Sequence, residues 1–386
     1  MLTAKDSVVT LLPSEQDLRT EDLSKYWNKL INDIEPYVAG EQPKPGQKVI
    51  KLNTNENPYP PTPKVKKALD SFNLADLRLY PDTNSTIVIK AAAKFDGVSE
   101  KNIFCGNGSD EVLAIAFQTF FEKKALTGLP VLMPDYSYSF YPVFSEFYDI
   151  RRKTIPLKED FRLDPDDYIG VPNCGIVFAN PNAPTSRAIA VEDCARIAEA
   201  NPDSVVIVDE AYVAFEEKYE SAVSLIGKYK NICVIRTLSK AFSLAGIRLG
   251  YAVGSEELIE GLKRARDSFN SYPVDRLAQV VAEAALLDVD YYNETRNKII
   301  ATRKWVSEEL SKIGFTMPPS SANFVYAKPP VDCGTLYQNL RNKGILVRYF
   351  NKPVLNEYLR ITIGTDEEMK ALINAIKEEV KNAENS

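Results

Sequence analysis

Val205-Val206-Ile207-Val208-Asp209-Glu210-Ala211-Tyr212 is an unbroken run of β-branched residues that ends in two acids and an aromatic. β-branched side chains favour the extended chain, and a run with no polar alternation is buried on both faces. The spacing predicts a central strand over about 204–208, with a carboxylate at its carboxyl end. Short apolar runs of the same kind lie at 131–133, 175–179, 231–236 and 249–253, with helical stretches at 110–121 and 191–200 between them. Strands alternating with helices predict an α/β fold, its mostly parallel central sheet covered by helices on both faces. Such sheets bind ligands beyond the carboxyl ends of their strands, so the chemistry is sought there.

Outward from this core the pattern changes. After about residue 285 comes a long helical stretch, 291–313, rich in Lys, Arg and Glu. Strand candidates 323–327 and 359–363 flank a short run at 345–347, and a last helix starts near Asp366. This predicts a smaller α+β domain. Residues 1–48 are polar and contain proline, which predicts an arm and a short helix near 23–34; Pro58-Tyr59-Pro60-Pro61-Thr62-Pro63 then leads into a helix at Lys64. The expected division is 1–57 as N-terminal arm and part of the small domain, 58–284 as the large domain, and 285–386 as the small C-terminal domain.

Composition excludes more than it selects. At 386 residues, 45% apolar and 26% charged, the chain reads as an ordinary soluble enzyme of two or three domains. A net charge of -6 argues against nucleic acid as the main partner. Five cysteines with no C-x-x-C pair fit a reduced, cytoplasmic compartment. The N-terminal apolar stretch is broken by Pro13 and Glu15, a poor signal peptide, and no run approaches the ~20 apolar residues of a membrane helix. There is no histidine. That removes Ser-His-Asp and Cys-His catalysis and imidazole zinc sites, and no metal is expected. Acid–base work falls to Lys, Tyr, Cys, a carboxylate or a cofactor.

Several strand ends carry reactive groups. Lys240, in Thr237-Leu238-Ser239-Lys240-Ala241-Phe242, follows a buried strand; read alone it is a surface lysine. Arg248 follows within Ala245-Gly246-Ile247-Arg248-Leu249-Gly250, and the two cations can hold an aldehyde and a phosphate of one cofactor. Asp209 suits a protonated pyridine nitrogen, with Tyr212 in reach of a ring hydroxyl; the plainer reading is an Asp capping a helix. In Cys105-Gly106-Asn107-Gly108-Ser109-Asp110-Glu111 the glycines precede an apolar helix whose N–H groups can cradle a phosphate, or they form an ordinary turn. Tyr136, in Pro134-Asp135-Tyr136, is placed to stack on an aromatic ring or to pack in the core.

Taken in order, GNGSDE, PDY, NPNAPT, VDEAY, TLSKAF and AGIRLGY resemble the fold-type I pyridoxal phosphate (PLP) aminotransferases from about residue 35 to 380. EPYVAGEQP, LNTNENP, RLYPD and YLRITIG are similar to the histidinol-phosphate aminotransferase family. The resemblance implies the PLP-transferase type I fold, with Lys240 carrying the cofactor as a Schiff base and shuttling the proton. It puts Asp209 on the pyridine nitrogen, Tyr212 on O3′ and Tyr136 against the ring. Ser109, Asp110, Ser239 and Arg248 hold the phosphate, with Tyr80 reaching the phosphate of a neighbouring subunit in a homodimer. Arg360 binds a carboxylate, Arg348 and Tyr37 line the outer end of the substrate pocket, and Asn57 joins the substrate residues. One departure stands out: Asn182-Ala183-Pro184-Thr185-Ser186 replaces the usual Asn-Asn-Pro-Thr-Gly. Ala183 has no polar group, so Asn182, or else Asn180, is expected to supply the missing O3′ contact, and the turn at Ser186 is open.

The activity implied is transamination of L-histidinol phosphate with 2-oxoglutarate, giving imidazole acetol phosphate and glutamate in histidine biosynthesis. Aromatic amino-acid transamination and decarboxylation of a threonine-phosphate type are alternatives. A DNA-binding regulator of the same fold has no basic helix-turn-helix to support it.

Overall fold

A computed structural model describes residues 25–44, 46–218 and 220–385. Residues 1–24 of the expected arm, and with them the start of the helix expected near 23–34, lie outside the described residues; a short helix is present at Lys29–Asp33.

In chain order the strands are β1 (Ile50–Leu52), β2 (Ile103–Gly106), β3 (Val131–Pro134), β4 (Arg152–Ile155), β5 (Gly175–Ala179), β6 (Val206–Asp209), β7 (Ile232–Thr237), β8 (Gly250–Gly254), β9 (Phe324–Ala327), β10 (Ile345–Tyr349) and β11 (Leu359–Thr362). Seven of them form one sheet in the order β2-β8-β7-β6-β5-β3-β4. Pairing is parallel from β4 through β7, and β8 runs antiparallel to both β7 and β2. Alternate residues enter opposite cores, because successive strand side chains point to opposite faces. Ile176, Phe178, Val206, Val208 and Val234 pack on one side with Cys194 and Ile197 of the helix Val191–Ala200. Val177, Ile207, Cys233 and Ile235 pack on the other with Leu113 and Phe117 of the helix Gly108–Phe120. Two buried faces account for the unalternating apolar runs.

The second sheet has the order β1-β10-β11-β9, with β1 parallel to β10 and the rest antiparallel. It packs on the helices Val289–Lys312 and Asp366–Glu384 through Ile299, Val306, Met369, Leu372 and Ile376. The last helix opens with a capping box between Thr365 and Glu368, which satisfies two otherwise orphaned N–H groups. Ala183, Tyr212 and Ala241, all from loops of the larger sheet, belong to this same apolar cluster. The two sheets therefore meet at the carboxyl ends of β5, β6 and β7. Among the described residues no helix is long and apolar enough to cross a membrane.

Candidate active site

A cavity of about 200 Å³ opens at that junction. Its walls include Ser109, Asp110, Asp209, Tyr212, Ser239, Lys240 and Arg248 from the larger sheet, and Asn55, Arg348 and Arg360 from the smaller one. Residues hundreds of positions apart meet because strand ends and a helix start of the larger sheet face β10 and β11 of the smaller one.

Lys240 lies just past the end of β7, and its Nζ donates to the carbonyl of Thr54 at 3.0 Å. Burial, and then the nearby Arg360 guanidinium, pull its pKa down to about 8, because both disfavour the ammonium form. Asp209 closes β6 and is buried; its Oδ2 accepts from the Tyr141 hydroxyl at 2.8 Å and its Oδ1 from the Ala211 N–H at 3.2 Å. Burial raises its carboxyl to about 6 despite both donors.

The helix Gly108–Phe120 points its N-terminus at the cavity. Gly108 has φ +83°, and a Cβ there would sit 2.7 Å from Arg248 Nη2. Only glycine adopts this backbone freely and leaves room for the guanidinium. Arg248 pairs with Asp110 Oδ2 at 3.0 Å and reaches Ser239 Oγ at 3.4 Å. Helix N–H groups, two hydroxyls and an arginine thus converge on one corner, an anion site by construction.

On the opposite wall, Arg348 and Arg360 are direct partners across the antiparallel β10–β11 ladder. The Arg360 guanidinium lies over the rings of Phe324 and Phe350 and donates to the Asn53 carbonyl at 2.9 Å. Burial and the charge of Arg348 hold its pKa below the usual arginine value. Arg348 donates to the Val38 carbonyl at 3.3 Å, and Tyr37 closes this end of the cavity, stacked on Phe140 with centroids 4.4 Å apart.

Three expectations are displaced. Tyr136 does not line the cavity; it packs against Phe161, Tyr326 and Leu355, and Tyr138 is the aromatic of this loop in the wall. Tyr138 also donates to Asp110 Oδ1 at 2.7 Å. The motif PDY carried no information on which tyrosine of Tyr136-Ser137-Tyr138 turns inward. Asn182 does not face the cavity either: its amide donates to the Tyr136 carbonyl and Thr185 Oγ1 and accepts from Ser137. Asn180 is spent on the backbone of Ile189, so the wall here is the methyl of Ala183. Asn57 holds the carbonyls of Lys240 and Ala241 from behind, at 3.2 and 3.3 Å, rather than facing a substrate. Tyr80, expected at the phosphate of a neighbouring subunit, does not line the cavity of its own; it is 77% exposed and stacks on Tyr272. The turn at Ser186 keeps a left-handed backbone, φ +63°, without glycine.

Sequence reasoning missed Asn55. It is buried at φ +56° and donates to the Tyr212 hydroxyl at 2.9 Å, while its Oδ1 accepts from Thr362 at 3.1 Å. Asparagine tolerates the left-handed region better than most residues, which was the one available signal. Because the amide donates, the hydrogen of Tyr212 is left to point elsewhere.

The comparisons with known proteins agree with this geometry. Residues 47–376 match the model of the family described as aminotransferase class I and II. A histidinol-phosphate aminotransferase from Clostridium acetobutylicum is 49% identical over 357 residues, 92% of this chain and 99% of the relative. Histidinol-phosphate aminotransferase 2 of Dechloromonas aromatica is 46% identical over 360 residues, 92% of this chain and 99% of its own. Among solved structures, histidinol-phosphate aminotransferase from Sinorhizobium meliloti in complex with pyridoxal-5′-phosphate superposes with a TM-score of 0.82 at 26% identity, covering 93% of this chain and 99% of that one. L-threonine-O-3-phosphate decarboxylase from Porphyromonas gingivalis shares the fold, with a TM-score of 0.71 at 20% identity over 86% of this chain and 100% of that one. With a family model spanning most of its length and relatives near half identical end to end, the chain belongs to the class I and II aminotransferases, and within them to the histidinol-phosphate aminotransferase family.

Proposed function

We propose that the protein uses pyridoxal phosphate to move the amino group of L-histidinol phosphate to 2-oxoglutarate, giving imidazole acetol phosphate and glutamate in histidine biosynthesis. The observation that carries the substrate is the paired Arg348 and Arg360, facing the same cavity as Lys240. Guanidinium forks accept both phosphate and carboxylate, which a site serving a phosphorylated amine and a dicarboxylic acid in turn requires.

The donor set fits the cofactor: a phosphate corner at Ser109, Ser239 and Arg248, an amine with lowered pKa, a buried acid, and the Tyr212 hydroxyl in the same cavity. When bound, pyridoxal phosphate supplies an aldehyde carbon for the amino group and an electron sink for the pair left at the substrate carbon. Lys240 removes and returns the proton at that carbon, its lowered pKa making the neutral amine available near physiological pH. Asp209 holds the ring nitrogen protonated, and Tyr212 donates to the ring oxygen. Among these contacts Ala183 adds nothing polar, so Tyr212, braced by Asn55, acts there without a polar side chain from that position. Arg348, Arg360 and Tyr37 orient the substrate and cover its outer end. We assign the protein to the cytoplasm.

The active unit is a homodimer. Exposed Leu74, Leu77, Leu79, Tyr80 and Phe269 support this reading, since monomers rarely leave so much apolar surface in water, and Tyr80 then serves the partner's phosphate corner. The test is a substrate panel of histidinol phosphate, phenylalanine and threonine phosphate with 2-oxoglutarate, scored for glutamate and carbon dioxide. Glutamate formed preferentially from histidinol phosphate supports the proposal; carbon dioxide without glutamate replaces it with the decarboxylase reading.

A further inference from the structure

Tyr141 takes no part in the scheme above, yet it makes the one side-chain hydrogen bond to Asp209 found among the described residues. It sits in the helix Phe140–Phe147, is 0% exposed, and lies edge-on to Tyr138 and stacked on Phe117. Its hydroxyl donates to Asp209 Oδ2 at 2.8 Å while the Ala211 N–H holds Oδ1. Two donors from the protein side hold the two carboxylate oxygens of a residue that also lines the cavity. We infer that Tyr141 is a positioning residue that keeps Asp209 ionised and aimed at the ring nitrogen of the cofactor. The inference rests on the reading of Asp209 given above.

The surroundings need such a donor. Glu210, next in the chain, is committed to Arg236 at 3.1 Å, and Asp110, from the helix Gly108–Phe120, to Arg248 at 3.0 Å. Both acids press the Asp209 carboxyl upward, after burial itself. Tyr37, Tyr138 and Tyr212 are the phenols that line the cavity and Lys240 is its amine; Tyr37 stacks on Phe140 at the outer end, Tyr138 is spent on Asp110 and Tyr212 is held by Asn55. The chain has no histidine to assist. The Tyr141 phenol, pushed far above its ordinary value by burial, keeps its proton and acts only as donor.

The test uses Tyr141→Phe, which removes one oxygen and keeps the ring. Asp209 has a folded pKa of about 6 against an ordinary 3.8, so its protonated form is favoured by folding and stability falls as pH rises between those values. Losing the donor extends that fall to higher pH. In cofactor-free protein, the deficit of Tyr141→Phe in Tm against wild type should be small at pH 5 and grow toward pH 8, as the Asp209 midpoint moves up by about one unit or more. The growth should vanish when both proteins also carry Asp209→Asn. In the holoenzyme, turnover of Tyr141→Phe near pH 7 should fall about tenfold and recover at higher pH. A Tm deficit equal at pH 5 and 8, or one that persists in the Asp209→Asn background, overturns the inference. If Asp209→Asn itself retains full turnover, the reading of Asp209 falls; if Asp209→Asn is crippled while Tyr141→Phe matches wild type, the role of Tyr141 falls alone.

Discussion

Replacing Arg348 by Ala tests the substrate assignment most directly, and its size follows from the surroundings of the side chain. Arg348 is half-buried, its guanidinium 5.2 Å from the Phe350 ring, with one hydrogen bond to the Val38 carbonyl. A charge-assisted contact from such a group to a phosphate contributes about 1.5–3 kcal/mol. Repulsion with Arg360 directly opposite is present with and without ligand, so its relief changes stability and drops out of the difference in binding. The net loss is about 2 kcal/mol, roughly a 30-fold fall in kcat/KM for histidinol phosphate. Phenylalanine has no phosphate, so its kcat/KM should change by no more than about twofold. Steady-state rates for both donors, at fixed saturating 2-oxoglutarate and controlled ionic strength, give the ratio. Arg348→Lys should restore part of the loss, since a point charge lacks the fork. A ratio that stays put, with both donors weakened alike, would refute the reasoning and favour the aromatic reading.

Lys240→Met should abolish transamination yet raise the Tm of the cofactor-free protein at pH 7. Folding depresses the Lys240 pKa from 10.5 to about 8, so the wild type loses stability as pH falls through that window, and the gain in the variant should shrink as pH rises toward 10.5; a variant less stable at pH 7 than wild type would contradict the assigned burial. Gly250→Ala should weaken cofactor binding by at least about tenfold, because a Cβ there would lie 2.6 Å from the Gly108 carbonyl carbon and against the Ser109 amide, displacing the helix start by an amount that catalytic sites tolerate badly; equilibrium dialysis giving a wild-type Kd would refute the phosphate corner. Mixed dimers of Tyr80→Phe and Lys240→Ala subunits should recover activity above either parent, since one of the two sites carries neither lesion, and a tagged hybrid with no recovery would exclude shared sites.

The parts of the molecule legible in advance are those where one physical demand acts alone. Buried parallel strands need unbroken apolar runs, and β5 and the helix Val191–Ala200 begin and end where the spacing puts them. β1 and β4 were not anticipated: Ile50-Lys51-Leu52 is a three-residue strand, and β4 opens with the exposed Arg152-Lys153-Thr154 at a sheet edge. Neither carries a hydrophobic period long enough to register. In the site, Lys240, Asp209, Ser239 and Arg248 were legible because each stands at a strand end among small residues. Tyr136 and Tyr138 were not separable, since two residues apart in an irregular loop there is no periodicity to fix which side chain turns inward. Asn57 and Asn55 pose the same problem across one residue, and only the left-handed backbone at Asn55 selects between them. Tyr141 acts through another side chain from a helix sixty-eight positions away, a relation that no local pattern encodes.

Arg348 and Arg360 facing one another across a ladder also make the resting protein a reporter of its solvent. Opposed like charges raise the energy of the ligand-free site, so any small dianion that settles between them lowers it. Sulfate and inorganic phosphate will therefore raise the melting temperature by mass action and will compete with both amino donor and acceptor. A KM measured in phosphate buffer contains the occupancy of that buffer, and the true affinity of the site is seen only when the medium is a bulky monovalent salt.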